Sequence, residues 1–371
     1  MIRAERARGI AVKTALGGGG LAVAGLVGVG LLHAQVAIAR RVIGDEAGTS
    51  YHDGGSYGAG IGDPYRILVL GDSTASGVGA GSAKHTVGAI VATGVAALTG
   101  RPVRLRNVSR SGATSPQLLA QADLGLAAMP EADVAVIMIG SNDVKERIDR
   151  AYAVRCLAET VTRLRQARVQ VVVGTCPDLG TIRPIPQPLR ALVQRWSREL
   201  AEAQTVAVVE VGGRTVSTGD LLGPEFRQLP TEMFSEDRFH PSAAGYARAA
   251  AALLPSVCDA LGLRTIDTGR EPDHRRGEWV EPLPQAAHRA VKDPGSEVSA
   301  TSVDGRTFGD LGRWATLLRR HRTAENLAPA SDASDRPAYG SAGGPTEQPD
   351  DGLAEHDPAE RDDPGSGDHA P

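Results

Sequence analysis

Residues 66–70 read Arg-Ile-Leu-Val-Leu, an apolar run that stops at Gly71 and opens onto Asp72-Ser73. A run this short and this continuously apolar suits a strand covered on both faces. Four further stretches read the same way: residues 103–108, 134–139 (VAVIMI), 169–174 (VQVVVG) and 206–211. Longer stretches lie between them. Residues 87–98 are rich in Ala and Val, 116–128 follow, and 151–166 place Leu157, Val161 and Leu164 at helical spacing. Residues 189–203 and 243–261 complete the helical set. Strand and helix alternate, which predicts the α/β class: a three-layer α/β/α domain with a mostly parallel, five-stranded sheet over residues 64–263. In such sheets ligands collect beyond the carboxyl ends of the strands, so the chemistry is expected there.

The whole chain has 371 residues, 41% of them hydrophobic, with 40 Lys+Arg against 44 Asp+Glu. That is enough chain to bury a substantial core. Three cysteines exclude a disulfide-stapled miniprotein, and one long uncharged apolar stretch excludes a polytopic membrane protein. A net charge of −4 and an aromatic content of 4% argue against a nucleic-acid partner. Cys156, Cys176 and Cys258 read as buried thiols; in an oxidising compartment one pair could bridge, and spacing does not choose the pair.

Residues 1–43 read as a signal anchor. Arg3, Arg6, Arg8 and Lys13 precede residues 15–39, which carry no formal charge apart from any protonation of His33. As a helix that stretch reaches about 37 Å, enough for a bilayer core of about 30 Å. The charge asymmetry across it predicts a membrane-anchored or exported protein whose remaining chain is extracytoplasmic. The alternative is a cleaved signal peptide with Ala37-Ile38-Ala39 as its processing site. Residues 44–63, rich in Gly, Ser and Asp, read as a linker. Residues 264–371 read as a largely disordered Pro/Gly/acidic tail. Within it, residues 307–322 space Phe308, Leu311, Trp314 and Leu318 as an amphipathic helix, either docked on the domain or resting on an anionic membrane.

The expected strand ends carry unusual residues. The first leads into Gly71-Asp72-Ser73, the second into Asn107-Val108-Ser109-Arg110-Ser111-Gly112, and the third into Gly140-Ser141-Asn142-Asp143. Asp237-Arg238-Phe239-His240-Pro241 stands directly before the last helix, with Ser242 placed to cap it. Each block alone is ordinary loop chemistry. In this order they resemble the SGNH, or GDSL, hydrolase family over about residues 64–262, through Ser73, Gly112, Asn142 and His240. Ala75 stands where the G-x-S-x-G elbow of α/β-hydrolases has its last glycine, which argues against that fold. The resemblance implies a flavodoxin-like SGNH hydrolase fold and a site that works on ester bonds.

The chemistry of the residues fits what the resemblance implies. A serine hydroxyl needs a neighbouring base, and imidazole ordinarily titrates near 6.5, which suits His240 for the task. A third group must orient that ring; the resemblance assigns Asp237, with the adjacent Glu236 as alternative. Negative charge developing on a carbonyl oxygen needs fixed donors. The resemblance supplies the Ser73 and Gly112 backbone N–H groups and the Asn142 amide. Asp72 and Asp143 flank the site as hydrogen-bonding groups rather than catalysts. No cofactor and no metal are expected, because the nine histidines show no ligand pair with acidic company. Residues 212–236, with Leu221, Leu222, Phe226, Met233 and Phe234, read either as an acyl-binding wall or as a loop packed on the domain. The expected function is a serine-dependent esterase or lipase of the cell envelope acting on a small ester, a lipid or an acetylated glycan. Alternatives are an O-acetyl-glycan esterase or acyltransferase with the same residues, or a silent binding module. The oligomeric state is left open.

Overall fold

The computed structural model describes residues 30–31, 33–37, 49–219, 226, 228–263, 278–293, 295–310 and 312–319. In chain order the elements are β1 (Gly55–Tyr57), β2 (Tyr65–Gly71), α1 (Val87–Thr99), β3 (Val103–Asn107), α2 (Leu118–Ala128), β4 (Val134–Met138), α3 (Ser141–Lys145), α4 (Arg150–Gln166), β5 (Gln170–Gly174), α5 (Leu189–Glu210), β6 (Arg214–Val216), α6 (Pro230–Met233), α7 (Ala243–Ala260), β7 (Glu278–Pro282), α8 (Leu283–Lys292), β8 (Ser296–Ala300), β9 (Phe308–Gly309) and β10 (Gly312–Arg319).

Strands β3-β2-β4-β5-β6 run parallel in that spatial order and form the centre of one sheet. Side chains alternate across it. Ile67, Val69, Val134 and Val136 pack on one face against α1 and α7. Leu68, Leu70, Ala135 and Ile137 pack on the other against α2, α4 and Val208 of α5. This is the three-layer arrangement. The register aligns Gly71 with Met138 and Met138 with Gly174, so three parallel strands end at one level. Gly71 is required there: a Cβ would lie 1.9 Å from the Met138 carbonyl oxygen, at a φ of +136°.

The sheet departs from the expected one in three places. Residues 206–211 do not form the fifth strand. They fall at the end of α5, whose buried Leu200, Ala201, Gln204, Thr205, Val208 and Val209 continue one helical face, and the fifth parallel strand is β6. The stretch expected to be a linker is partly structured: β1 adds antiparallel to β3, and Asp53 is buried with the Thr86 hydroxyl donating to it at 2.6 Å. Tyr51 N–H donates to the Ser76 carbonyl, so this strap braces the loop after β2.

The largest correction lies beyond residue 263. Strands β8, β10 and β7 extend the sheet antiparallel from β6, with α8 packed over them. The stretch expected to be an amphipathic helix contains β10, whose Ala315 and Leu317 alternate into the core between two partner strands. The fully buried Glu297 anchors this extension, bound by Arg214 at 3.0 Å and the Ser256 hydroxyl at 2.6 Å. Residues 320–371 lie outside the described residues.

Of the stretch expected to be the anchor, residues 30–31 and 33–37 are described and helical, and the rest lies outside the described residues. Gln35 is buried, and its carboxamide donates to the Gln187 carbonyl at 2.5 Å and accepts from the Leu189 N–H at 3.0 Å. Among the described residues no helix is long and apolar enough to cross a membrane.

Candidate active site

Loops leave the carboxyl ends of β2, β3 and β4, and a fourth precedes α7. The first and the fourth bring Ser73, His240 and Asp237 into a line. His240 Nε2 lies 2.9 Å from Ser73 Oγ, and His240 Nδ1 lies 2.5 Å from Asp237 Oδ2. The other oxygen of Asp237 accepts from the Ser235 hydroxyl at 2.7 Å and from the N–H groups of Phe239 and His240, each at 2.9 Å. Partial burial alone would raise the Asp237 pKa. The His240 ring and these three donors outweigh it and hold the carboxyl well below its usual range, so it is an anion. Phe239 stands edge-on to the imidazole, with centroids 4.8 Å apart. Glu236 is exposed and takes no part in this line.

Local chemistry explains the loop. The Ser235 N–H donates to the His240 carbonyl, the Ser242 N–H donates to the Met233 carbonyl, and Ser242 Oγ caps α7 by accepting from the Gly245 N–H at 3.3 Å. Turn and cap together leave the imidazole little freedom.

The donor side is built from the neighbouring loops. Gly112 has a φ of +80°, a conformation that favours glycine, and open space where a Cβ would stand. Asn142 is buried and gives one amide hydrogen to the Ala113 carbonyl at 3.1 Å, so the second can serve a ligand. Asp143, also buried, accepts from Ser115 twice, from its N–H at 2.9 Å and its hydroxyl at 2.6 Å. Burial raises the Asp143 pKa against the lowering effect of those bonds. Asp72 is buried beneath Ser73 and accepts from the Thr74 N–H at 2.9 Å. Burial pushes its pKa up to about 6, against that hydrogen bond and the nearby His240.

Three positioning residues escaped the sequence reading. The Gln121 carboxamide pairs with the backbone of Gly71, accepting at 2.7 Å and donating at 3.0 Å, and so ties α2 to the loop that carries Ser73. Ser115 donates both hydrogen bonds to Asp143 just described. Asp178 is buried after β5 and accepts from the Gly180 N–H, Gln194 and Arg198, with contacts of 2.7–3.0 Å. Its place one loop beyond a strand end was the available signal. The loop it holds carries Leu179, Thr181 and Ile182, which with Phe234 and Phe239 wall a cavity of about 20 Å³ at Ser73. Met233 and Phe234 of the stretch read as a wall or a packed loop are buried, and Leu221 and Leu222 lie outside the described residues. Cys156, Cys176 and Cys258 form no disulfide with one another. Among the described residues no group of three His, Cys, Asp or Glu is arranged to hold a metal ion.

A parallel-centred α/β domain with a serine, a histidine and a carboxylate aligned at its strand ends is the architecture of a serine hydrolase. Residues 69–248 match the GDSL-like lipase/acylhydrolase family. The chain is 47% identical over 195 residues to the GDSL-like esterase Rv1075c of Mycobacterium tuberculosis, covering 53% of this chain and 62% of that protein. The chain therefore spans less than two thirds of that relative's length. Among solved structures, a lipase from a goat rumen metagenome is 18% identical with a TM-score of 0.44, covering 53% of this chain and 97% of that one. An acetylxylan esterase from Geobacillus stearothermophilus is 19% identical with a TM-score of 0.41, covering 55% and 97%.

Proposed function

We propose that this chain is a serine-dependent carboxylic-ester hydrolase that works through an acyl-enzyme. The observation that carries the reading is the hydrogen-bonded line from Ser73 Oγ through the His240 ring to the anionic Asp237. Ser73 Oγ attacks the ester carbonyl while its proton passes to His240 Nε2. Asp237 keeps the ring oriented and balances the imidazolium. The negative oxygen that forms is met by the N–H groups of Ser73 and Gly112 and by the second amide hydrogen of Asn142. The C–O bond to the alcohol then breaks, and His240 returns its proton to the departing oxygen. Water, deprotonated by His240, cleaves the acyl-serine, and Ser73 recovers the proton as the acid leaves.

The cavity beside Ser73 is small, about 20 Å³, and lined in part by Ile182, Phe234 and Phe239, which favours a short acyl group. Placement at the cell envelope rests on the four basic residues that precede the uncharged residues 15–39. The test is hydrolysis of p-nitrophenyl esters from acetyl to lauroyl by the full chain, beside Ser73→Ala, with a fluorophosphonate probe for Ser73. Turnover greatest for acetyl, probe labelling, and loss of both in the variant would support the reading. A folded wild type that neither turns over nor labels would overturn it.

A further inference from the structure

Residues 50–57 precede the stretch that matches the family, which begins at residue 69. They nevertheless reach the loop that carries Ser73. The Tyr51 N–H donates to the Ser76 carbonyl at 3.1 Å, and the Ser50 hydroxyl donates to Ser76 Oγ at 3.2 Å. Ser76 is buried, so this strap holds it by two of its own polar groups. The strap is fastened further along. Asp53 is 2% exposed, and it accepts from the Thr86 hydroxyl, whose oxygen also caps α1 by accepting from the Ala89 N–H at 3.1 Å. Helix α1 comes so close that a Cβ on Gly88 would lie 2.7 Å from Asp53 Oδ2. The Tyr57 hydroxyl donates to the Asp53 carbonyl, and β1 pairs with β3.

Ser76 in turn grips the backbone of the nucleophile. Its hydroxyl donates to the Ser73 carbonyl at 3.1 Å, beside the Val78 N–H at 3.0 Å. Its N–H donates to the Asp72 carbonyl at 3.0 Å. That carbonyl and the Ser73 N–H belong to one planar trans peptide and point in opposite directions. Whatever fixes the Asp72 carbonyl therefore fixes the direction of the Ser73 N–H, a donor for the developing oxyanion. Such a donor is effective only when it already points at the place where the charge will form.

We infer that the strap of residues 50–57 is a positioning device for the reaction: through Ser76 it aims the Ser73 N–H at the oxyanion and steadies the nucleophile. This rests on the ester-hydrolase reading and adds Ser50, Tyr51, Asp53 and Ser76 to it as positioning residues. None of these four lines the cavity at Ser73. Loosening the strap therefore slows the chemical step and leaves substrate binding in place.

The test measures kcat and KM of the full chain for p-nitrophenyl acetate, with thermal melts to confirm folding. Asp53→Ala and Ser76→Ala should each lower kcat about tenfold and leave KM within about twofold of the wild type. Asp53→Asn keeps an acceptor for the Thr86 hydroxyl and should recover most of the loss. The double variant Asp53→Ala/Ser76→Ala should be no slower than Ser76→Ala alone, because both changes act along one route. Ser50 is exposed, so Ser50→Ala keeps the test open where Asp53→Ala does not fold. It should lower kcat about threefold alone and not at all on the Ser76→Ala background. The rate of fluorophosphonate labelling should fall in step with kcat, since it uses the same nucleophile and donors. Wild-type kcat in folded Ser76→Ala and Ser50→Ala variants would overturn the inference. So would losses that multiply in the double variant, or losses confined to KM. The hydrolase reading survives each of these outcomes as long as the wild type turns over the ester and labels at Ser73. A folded wild type that does neither strikes the hydrolase reading instead.

Discussion

The hydroxyl of Ser115 lies 2.6 Å from one carboxylate oxygen of Asp143, and the Ser115 N–H reaches the other at 2.9 Å. One buried side chain thereby ties the loop after β3, which carries Gly112, to the helix after β4, which carries Asn142. Asp143→Ala should strand both Ser115 donors. The expected result is a loss of about 1–3 kcal/mol of stability. Turnover of p-nitrophenyl acetate should also fall more than tenfold, because donors displaced by a fraction of an ångström no longer meet the oxyanion. Asp143→Asn keeps an acceptor for one donor and should recover part of the rate. Thermal melts read beside kcat separate the two effects. Wild-type kcat in a folded Asp143→Ala variant would show that the tie has no bearing on the site.

Asn142 holds the Ala113 carbonyl with one amide hydrogen and offers the other to the ligand. Asn142→Ala should lower kcat by about 10² to 10³. The lost Ala113 bond alone should cost only about 1 kcal/mol of stability. A large kcat loss with a small change in melting temperature is the expected pattern. Loss confined to KM would place Asn142 in ground-state binding instead.

Asp237 orients the His240 ring through Oδ2 and is itself held by three donors on Oδ1. In Asp237→Asn the amide can preserve the shape but presents no anion to the imidazolium and can select the wrong ring tautomer. Turnover should fall by about 10³ to 10⁴. Acid stability should respond as well. The carboxyl is held below its unfolded value, so its contribution is present above about pH 4 and disappears as the pH falls through the lower, folded value. Urea midpoints of the two proteins should therefore converge at strongly acid pH. A constant gap down to pH 2 would show that the contribution does not depend on charge.

Strands β2, β4 and β5 were legible because a strand buried on both faces needs a continuous apolar run, and each run ends near a glycine. Residues 206–211 misled because a short run of valines has no period of its own. The face shared with Leu200, Ala201 and Gln204 makes them helix, and it shows only when the neighbouring turns are counted. The extension after residue 263 was hidden for a different reason. Its strands bury Glu281 and Glu297, and Glu297 is tolerable only beside Arg214 and Ser256, which are distant in sequence. The site divides in the same way. Ser73, Gly112, Asn142 and His240 stand out as polar residues at strand ends and a helix entry. Gln121, Ser115 and Asp178 act through backbone groups or neighbouring side chains of loops that only the fold brings near.

Asp72 sits under the nucleophile, almost wholly buried, with its pKa raised by burial from 3.8 to about 6. Between those values the folded protein keeps a proton that the unfolded chain has released. Stability therefore falls as the pH rises through this window and levels off above about pH 6. A rise of this size corresponds to about 3 kcal/mol. Asp72→Asn retains an acceptor for the Thr74 N–H and removes the charge. Urea unfolding from pH 4 to pH 8 should show the variant gaining on the wild type across the window, by an amount of that order. The other carboxyl groups cancel in the difference. A wild-type-to-variant gap that stays constant from pH 4 to pH 8 would mean that Asp72 does not titrate there. The Ser73 loop would then rest on a carboxylate that is already charged at pH 4.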